Sequence, residues 1–239
     1  MQNSFPKIDG AKVNTRSAAQ AEQARFLLKV YNWMTGGLLA TGIVAYATAN
    51  VPALTQLIFD NSFLFFGLII AELAMVGALA GWVMKMRART AAMVFFGYAL
   101  LNGLTLSFIF MVYTKSSIAT AFVVTAGTFG AMSLYGATTK KDLSGMGSFL
   151  TMGLFGIIIA SVANIFLKSP VIHWVTSYLG VLIFVGLTAY DTQKILKMNI
   201  LGNEGTEEDT KEAIRGALTL YLDFINLFLM LLRVMGDRR

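Results

Sequence analysis

Residues 213–235 read AIRGALTLYLDFINLFLMLLRVM, and the reading of this stretch decides the fold. At about 1.5 Å of rise per residue, a helix of this length spans about 35 Å, enough to cross the roughly 30 Å hydrocarbon core of a bilayer. Its polar residues are ordered rather than scattered. Arg215, Thr219, Asp223, Asn226, Met230 and Arg233 are spaced by four, four, three, four and three positions, which is one helical face. All but Met230 are polar. Leu220, Leu222, Phe224, Ile225, Leu227, Phe228 and Leu229 supply the apolar remainder. A spanning helix with one continuous polar stripe should turn that stripe into a bundle, where Asn102 and Thr105, or Ser161 and Asn164, are candidate facing partners.

Working outward, six more apolar segments of spanning length can be drawn, at 30–50, 63–84, 91–113, 118–138, 147–167 and 171–193. The linkers between them are short apart from 194–212, so sequential helices should be antiparallel neighbours. The sequence predicts an all-α membrane protein, a seven-transmembrane-helix bundle over 30–235. A tail at 1–29 precedes it and a short one at 236–239 follows. Composition agrees: 56% of the 239 residues are hydrophobic and 13% charged, where a soluble domain carries about 45–50% and about 25%. A water-soluble enzyme is thereby excluded.

The residue inventory removes further classes. No cysteine is present, so thiolate metal sites, disulfides and cysteine nucleophiles are out. A single histidine, His173, cannot form the usual catalytic zinc sites or bis-histidine haem. No phosphate-cradling glycine loop or nucleophile–base pairing is present, so no enzyme activity and no tightly bound cofactor are expected. The seventh segment lacks the lysine that a retinal Schiff base needs. The formal charge of +6 does not indicate nucleic acid, because Lys and Arg sit in short loops and at the ends.

Those loop charges orient the chain. The tail, the second, fourth and sixth loops together hold thirteen basic residues, among them Lys85, Arg87, Lys140 and Lys194. The opposite loops hold only Lys115 and Lys168. The amino terminus is therefore expected in the cytosol. Seven crossings then put Arg233, Arg238 and Arg239 on the outer side, against the same rule. A re-entrant last segment would bring them back inside, and both alternatives stand at this stage. Gly77-Ala-Leu-Ala-Gly81 in the second segment is a small-xxx-small pattern suited to close helix approach. Gly127, Gly130 and Ala131, and Gly153 and Gly156, offer similar faces in the fourth and fifth.

Three acids, Glu72, Asp191 and Asp223, fall inside apolar segments. Each costs roughly 2.5–3.5 kcal/mol there, together about 7–10 kcal/mol, so they should face one another, a basic partner or water. Asp191 and Asp223 lie at similar depth on helices that connectivity makes neighbours. Two close carboxylates cannot both ionise cheaply and tend to share a proton. Losing that proton would leave repulsion and a hard-oxygen site suited to Ca²⁺. Blander readings exist for each residue. Asp191 could cap a helix beside Lys194, Asp223 could be a buried structural hydrogen-bonder, and Glu72 could simply bond a nearby Asn or Thr. Lys85 is by default an orienting anchor, and His173 beside Trp174 reads as an interfacial anchor.

The stretch from Thr219 to Arg233, TLYLDFINLFLMLLR, resembles the last helix of the transmembrane Bax inhibitor motif (Bax inhibitor-1) family, most closely its bacterial inner-membrane members. Gly186-Leu-Thr-Ala-Tyr-Asp-Thr-Gln-Lys194, Lys140-Lys-Asp-Leu143 and Asn164-Ile-Phe166 are similar to its other signatures, and the resemblance runs from about residue 25 to the end. It implies a last helix at the centre, wrapped by the other six. It also implies a multi-pass inner-membrane location and a pH-sensitive Ca²⁺ leak controlled by an aspartate pair, here Asp191 and Asp223. A basic latch at the end of the second helix would be Lys85 or Arg87. Glu72 falls where the family often has an acid. Glu72, Asn102, Thr105, Asn164, Thr219 and Asn226 are the candidate pore-lining residues. The expected partners are lipid and calcium ions. An alternative implied by the resemblance is a regulatory protein that binds and restrains a membrane-bound ATP-dependent protease through the 29-residue tail, and eukaryotic members are linked to suppression of cell death.

Overall fold

The computed structural model describes the backbone of residues 9–239 and the side chains of residues 18–239; residues 1–8 of the expected tail lie outside the described residues. The helices are α1 (Asp9–Ala49), α2 (Pro52–Phe59), α3 (Ser62–Trp82), α4 (Ala88–Leu106), α5 (Ile109–Val112), α6 (Lys115–Thr138), α7 (Ser144–Leu167), α8 (Pro170–Met198) and α9 (Glu207–Met235). A 3-10 turn, Val83–Lys85, ends α3. Six helices or helix pairs are long and apolar enough to span a bilayer, and the bent pair of α1 and α2 makes a seventh. The protein is an all-α membrane protein.

Helix starts are set by local chemistry. Side chains of Asn61, Thr114, Ser169 and Thr206 each accept from a backbone N–H three residues on, capping α3, α6, α8 and α9. Pro52 and Pro170 occupy first-turn positions, where their missing N–H costs nothing. Glu207, Glu208 and Asp209 open α9 and Arg233 lies in its last turn, each matching the helix dipole. The first segment departs from the expected picture. Tail and span form one continuous helix from Asp9, which breaks before Pro52 and turns by 100° into α2.

The last helix is the centre of the bundle. Half of its apolar window is buried within the protein, against 6% for α3 and for α7. It packs on α1, α3, α4, α6 and α8. Five helices surround it rather than six, because α7 rests on α8 and stands outside the ring. Tyr221, fully buried, stacks edge-on against Phe95 and Tyr98 of α4, while Phe224 does the same with Phe122 and Phe129 of α6.

The ends of α9 settle its path. Lys29 Nζ donates to Asp209 Oδ2 at 2.9 Å, and Arg25 makes a two-point pair with Glu204 at 2.7 and 2.9 Å, so α9 begins beside the middle of α1, where its apolar half starts. At the other end, Thr114 N donates to the Asp237 carbonyl at 3.2 Å and Arg239 N to that of Val112 at 2.9 Å. The helix crosses the whole bundle without re-entering. Arg233, Arg238 and Arg239 sit at the end opposite Arg25.

The close helix approaches are not where the small-residue patterns placed them. Among the described residues, nothing lies within 4 Å of a would-be Cβ at Gly77, Gly81, Gly127, Gly130 or Gly156, and only Gly153 of these glycines faces a neighbour, Ile183. Two helix approaches that leave no room for a Cβ against neighbouring backbone are at Gly136, pressed on the Ala189 backbone of α8, and at Gly103, where an added Cβ would stand 2.7 Å from the Thr41 carbonyl oxygen of α1. A small-xxx-small pattern permits close approach on one face but does not say whether protein or lipid lies there.

Candidate functional site

Gly136 brings α6 directly against α8 at Ala189, two residues before Asp191. From there α8 is pinned on both sides of the aspartate. Thr192 Oγ1 and Ser133 Oγ share a hydrogen bond at 2.8 Å, and Ser133 in turn bonds the Tyr31 hydroxyl of α1. Gln193 accepts from Leu143 N at 3.0 Å and donates to the Lys141 carbonyl at 2.8 Å, tying α8 to the loop between α6 and α7. Asp191 therefore has little freedom to turn away from α9.

Asp191 and Asp223 direct their carboxyls at each other within hydrogen-bonding reach. Both are buried, at 9% and 5% exposure. Asp223 Oδ2 is an orphan: it is buried and no donor of the described protein reaches it. An acceptor left so carries a desolvation cost of about 1–3 kcal/mol, more when charged. The charge of Lys194, about one turn along α8, acts on both carboxyls. Its ammonium lies 5.7 Å above the Tyr190 ring and closes no ion pair with either acid.

The expected latch is not formed here. Neither Lys85 nor Arg87 makes an ion pair among the described residues. The turn they occupy is instead gripped from α9. Buried Lys211 donates to the Met84 carbonyl at 3.2 Å, and Glu207 accepts from Ala88 N at 2.7 Å. Lys211 is one of the thirteen basic residues counted above as orienting charges, and nothing in its local sequence distinguishes it from the others.

The six candidate pore-lining residues fall in three places rather than along one path. Glu72, Thr105 and Asn102 form a cluster on the α3–α4 side. Thr105 Oγ1 donates to Glu72 at 2.8 Å, and Asn102 Nδ2 donates to the Tyr98 hydroxyl at 2.9 Å, leaving Asn102 Oδ1 buried without a partner. Tyr221 closes this cluster through a 2.7 Å bond to Thr41. Tyr221 and Asp223 are two residues apart and so point to opposite sides of α9. Thr219 bonds back to the Arg215 carbonyl at 3.2 Å. Asn164 and Asn226 line a cavity of about 830 Å³ at the far end, between α5, α7, α8 and α9. Asn226 lies three residues beyond Asp223, about 4.5 Å of helical rise.

A central last helix, a ring of five about it and a buried acid pair on two adjoining spans define a polytopic helical membrane protein built around its final span. Residues 23–239 match the family described as Inhibitor of apoptosis-promoting Bax1. The chain belongs to this family, the Bax inhibitor-1 family. It is 52% identical over 236 residues to the inner membrane protein YbhL of Escherichia coli K12, covering 98% of this chain and 99% of the relative. It is also 48% identical to a protein of Borreliella burgdorferi over 90% of this chain and 93% of that one, and 39% identical to YrjE of Lactococcus lactis over 88% and 90%.

Proposed function

We propose that the protein is a passive, pH-sensitive cation leak, with Ca²⁺ the permeant ion, gated by Asp191 and Asp223 and without enzymatic turnover. The observation that carries this reading is a pair of buried carboxyls turned on each other, one of whose oxygens lacks any donor. A single proton held between the two acids supplies that donor and removes one of the two charges. In that form the spans are drawn together and the passage is shut. Loss of the proton sets two like charges against each other at short range and creates an oxygen-lined gap that attracts a hard cation.

The same geometry favours passage over storage. Ca²⁺ takes six to eight oxygen ligands, and two carboxylates supply at most four. No group of three or more acids or histidines stands together among the described residues. The far cavity, which ends at Asn226 about one turn from Asp223, gives water a route toward the pair from one side. The name of the E. coli relative supports an inner-membrane location, and the bias of basic loops supports a cytosolic amino terminus.

The test is Ca²⁺ entry into proteoliposomes of the full chain. Flux rises as pH increases from 6 to 8 in the intact protein and loses that dependence in Asp223→Asn. A variant that conducts with the same pH profile as the parent refutes the gate.

A further inference from the structure

The far end of the bundle holds a second arrangement that the acid pair does not use. The cavity of about 830 Å³ adjoins another of about 630 Å³, and both are lined by Asn164, His173, Arg233 and Arg238. Lys168 lines the second. These basic groups come from four separate places: the end of α7, the first turn of α8, the last turn of α9 and the tail beyond it. They are close enough for the charges of Arg233 and Arg238 to act on the His173 ring. Among the described residues, no acid lines either cavity. Among the described residues, Arg233, Arg238 and Lys168 form no ion pair, and no side-chain hydrogen bond satisfies either guanidinium.

The walls below this cationic rim are apolar: Ile157, Ile158 and Val162 of α7 and Leu229 of α9. Because α7 packs chiefly on α8, the gap between it and α5 is a lateral cleft, and the outer edge of α7 faces hydrocarbon, with Ile165 67% exposed. Trp174 stacks on Tyr178 beside the rim, the aromatic pairing typical of the headgroup level. A cleft of this size lies within the range of about 300–1,000 Å³ of small-molecule sites. It has hydrocarbon on its open side and unpaired planar cations at headgroup depth. A phosphodiester satisfies guanidinium donors two at a time, as a water-exposed carboxylate-free rim otherwise does not.

We propose that this cleft is a binding site for an anionic phospholipid. Its phosphate sits on Arg233, Arg238 and Lys168, and an acyl chain lies along the α7–α9 wall. The site stands independently of the leak, since it needs none of the acid pair. If both hold, the lipid phosphate also offsets the positive field at the mouth through which a cation would approach Asn226.

The experiment is native mass spectrometry of the purified full chain in detergent, titrated with phosphatidylglycerol, phosphatidylcholine or inorganic phosphate. Both lipids carry the phosphodiester, so the preference comes from the choline ammonium of phosphatidylcholine, which this cationic rim repels and no acid receives; retention of phosphatidylglycerol over phosphatidylcholine by about tenfold is expected. The preference falls to near unity in Arg233→Gln/Arg238→Gln. It persists in Lys197→Gln, whose lysine lies on α8 at the opposite end. Because Arg233 ends the central helix, Lys168→Gln/Arg238→Gln, which alters two exposed side chains, gives the same reading if the first variant does not fold. Equal retention of both lipids, an unchanged preference in the double variants, or full displacement by millimolar inorganic phosphate overturns the proposal. The last outcome marks a simple anion site.

Discussion

Replacing Gly136 by alanine puts one methyl group into the tightest contact beside the acid pair, and the structure fixes what that must cost. The added Cβ would overlap the Ala189 carbonyl oxygen and stand 2.8 Å from its carbonyl carbon and 2.9 Å from its Cα. Non-bonded carbons settle at about 3.5–4.0 Å, so α6 and α8 must part by about 1 Å. The obstacle is backbone on a continuous helix, which cannot swing aside as a side chain can. Overpacking of this kind costs about 1–3 kcal/mol. Gly130→Ala in the same helix is the control, since nothing lies within 4 Å of its position. There alanine gains up to about 1 kcal/mol in helix propensity. Reversible unfolding in mixed micelles, followed by circular dichroism, reads the difference. The parting also displaces Asp191, two residues along, so the pH midpoint of ion flux should move in Gly136→Ala and stay fixed in Gly130→Ala. Equal stability of the two variants refutes the account of how α8 is positioned.

Two further outcomes follow from charged contacts at the same end of the bundle. Lys29→Met should cost about 2 kcal/mol, because Asp209, 5% exposed, then keeps only the Gly205 N–H as partner for Oδ2, whereas Arg25→Met at the exposed Glu204 pair should cost less than about 1 kcal/mol; chemical denaturation of the two variants compares them. In the loop between α6 and α7, Lys197 at 2.6 Å and the Ser144 hydroxyl at 2.8 Å hold the Asp142 carboxyl down to about 2. Since this lies below the unfolded value near 3.9, its contribution to stability is present above about pH 4 and is lost as pH falls toward 2. A carboxyl-carbon NMR titration should find the low midpoint, and Lys197→Met should raise it; a midpoint near 4 in the parent chain contradicts the contact.

Much of the architecture was legible because the signal is local. A run of twenty apolar residues needs no tertiary information to be read as a span, and the bilayer leaves it only the helix. Asp191 and Asp223 stood out for a similar reason: the cost of a buried charge depends on hydrocarbon around it, which flanking residues report. Apart from that pair, what failed to show depends on which neighbour a face meets. The glycines at 77 and 81 carry a packing pattern on a helix whose face has no protein opposite it, while Gly136, with no pattern around it, sits at the closest approach. Glu72 and Asn226 share a polar character that suggests one path, yet α9 separates them, with Tyr221 turned to one side and Asp223 to the other. Lys211 looked like an orienting charge and is instead buried against the end of α3. The bend before Pro52 was within reach, since a proline closing an apolar segment marks a break.

In the proposed gate, a single proton shared by Asp191 and Asp223 closes the passage. Its most direct measurement is the pH profile of Ca²⁺ flux into proteoliposomes, taken side by side for the parent chain, Asp191→Asn, Asp223→Asn and the double variant. The expected result is a rise between pH 6 and 8 in the parent and flat profiles in all three variants. Profiles that rise with the same midpoint in every protein would contradict it.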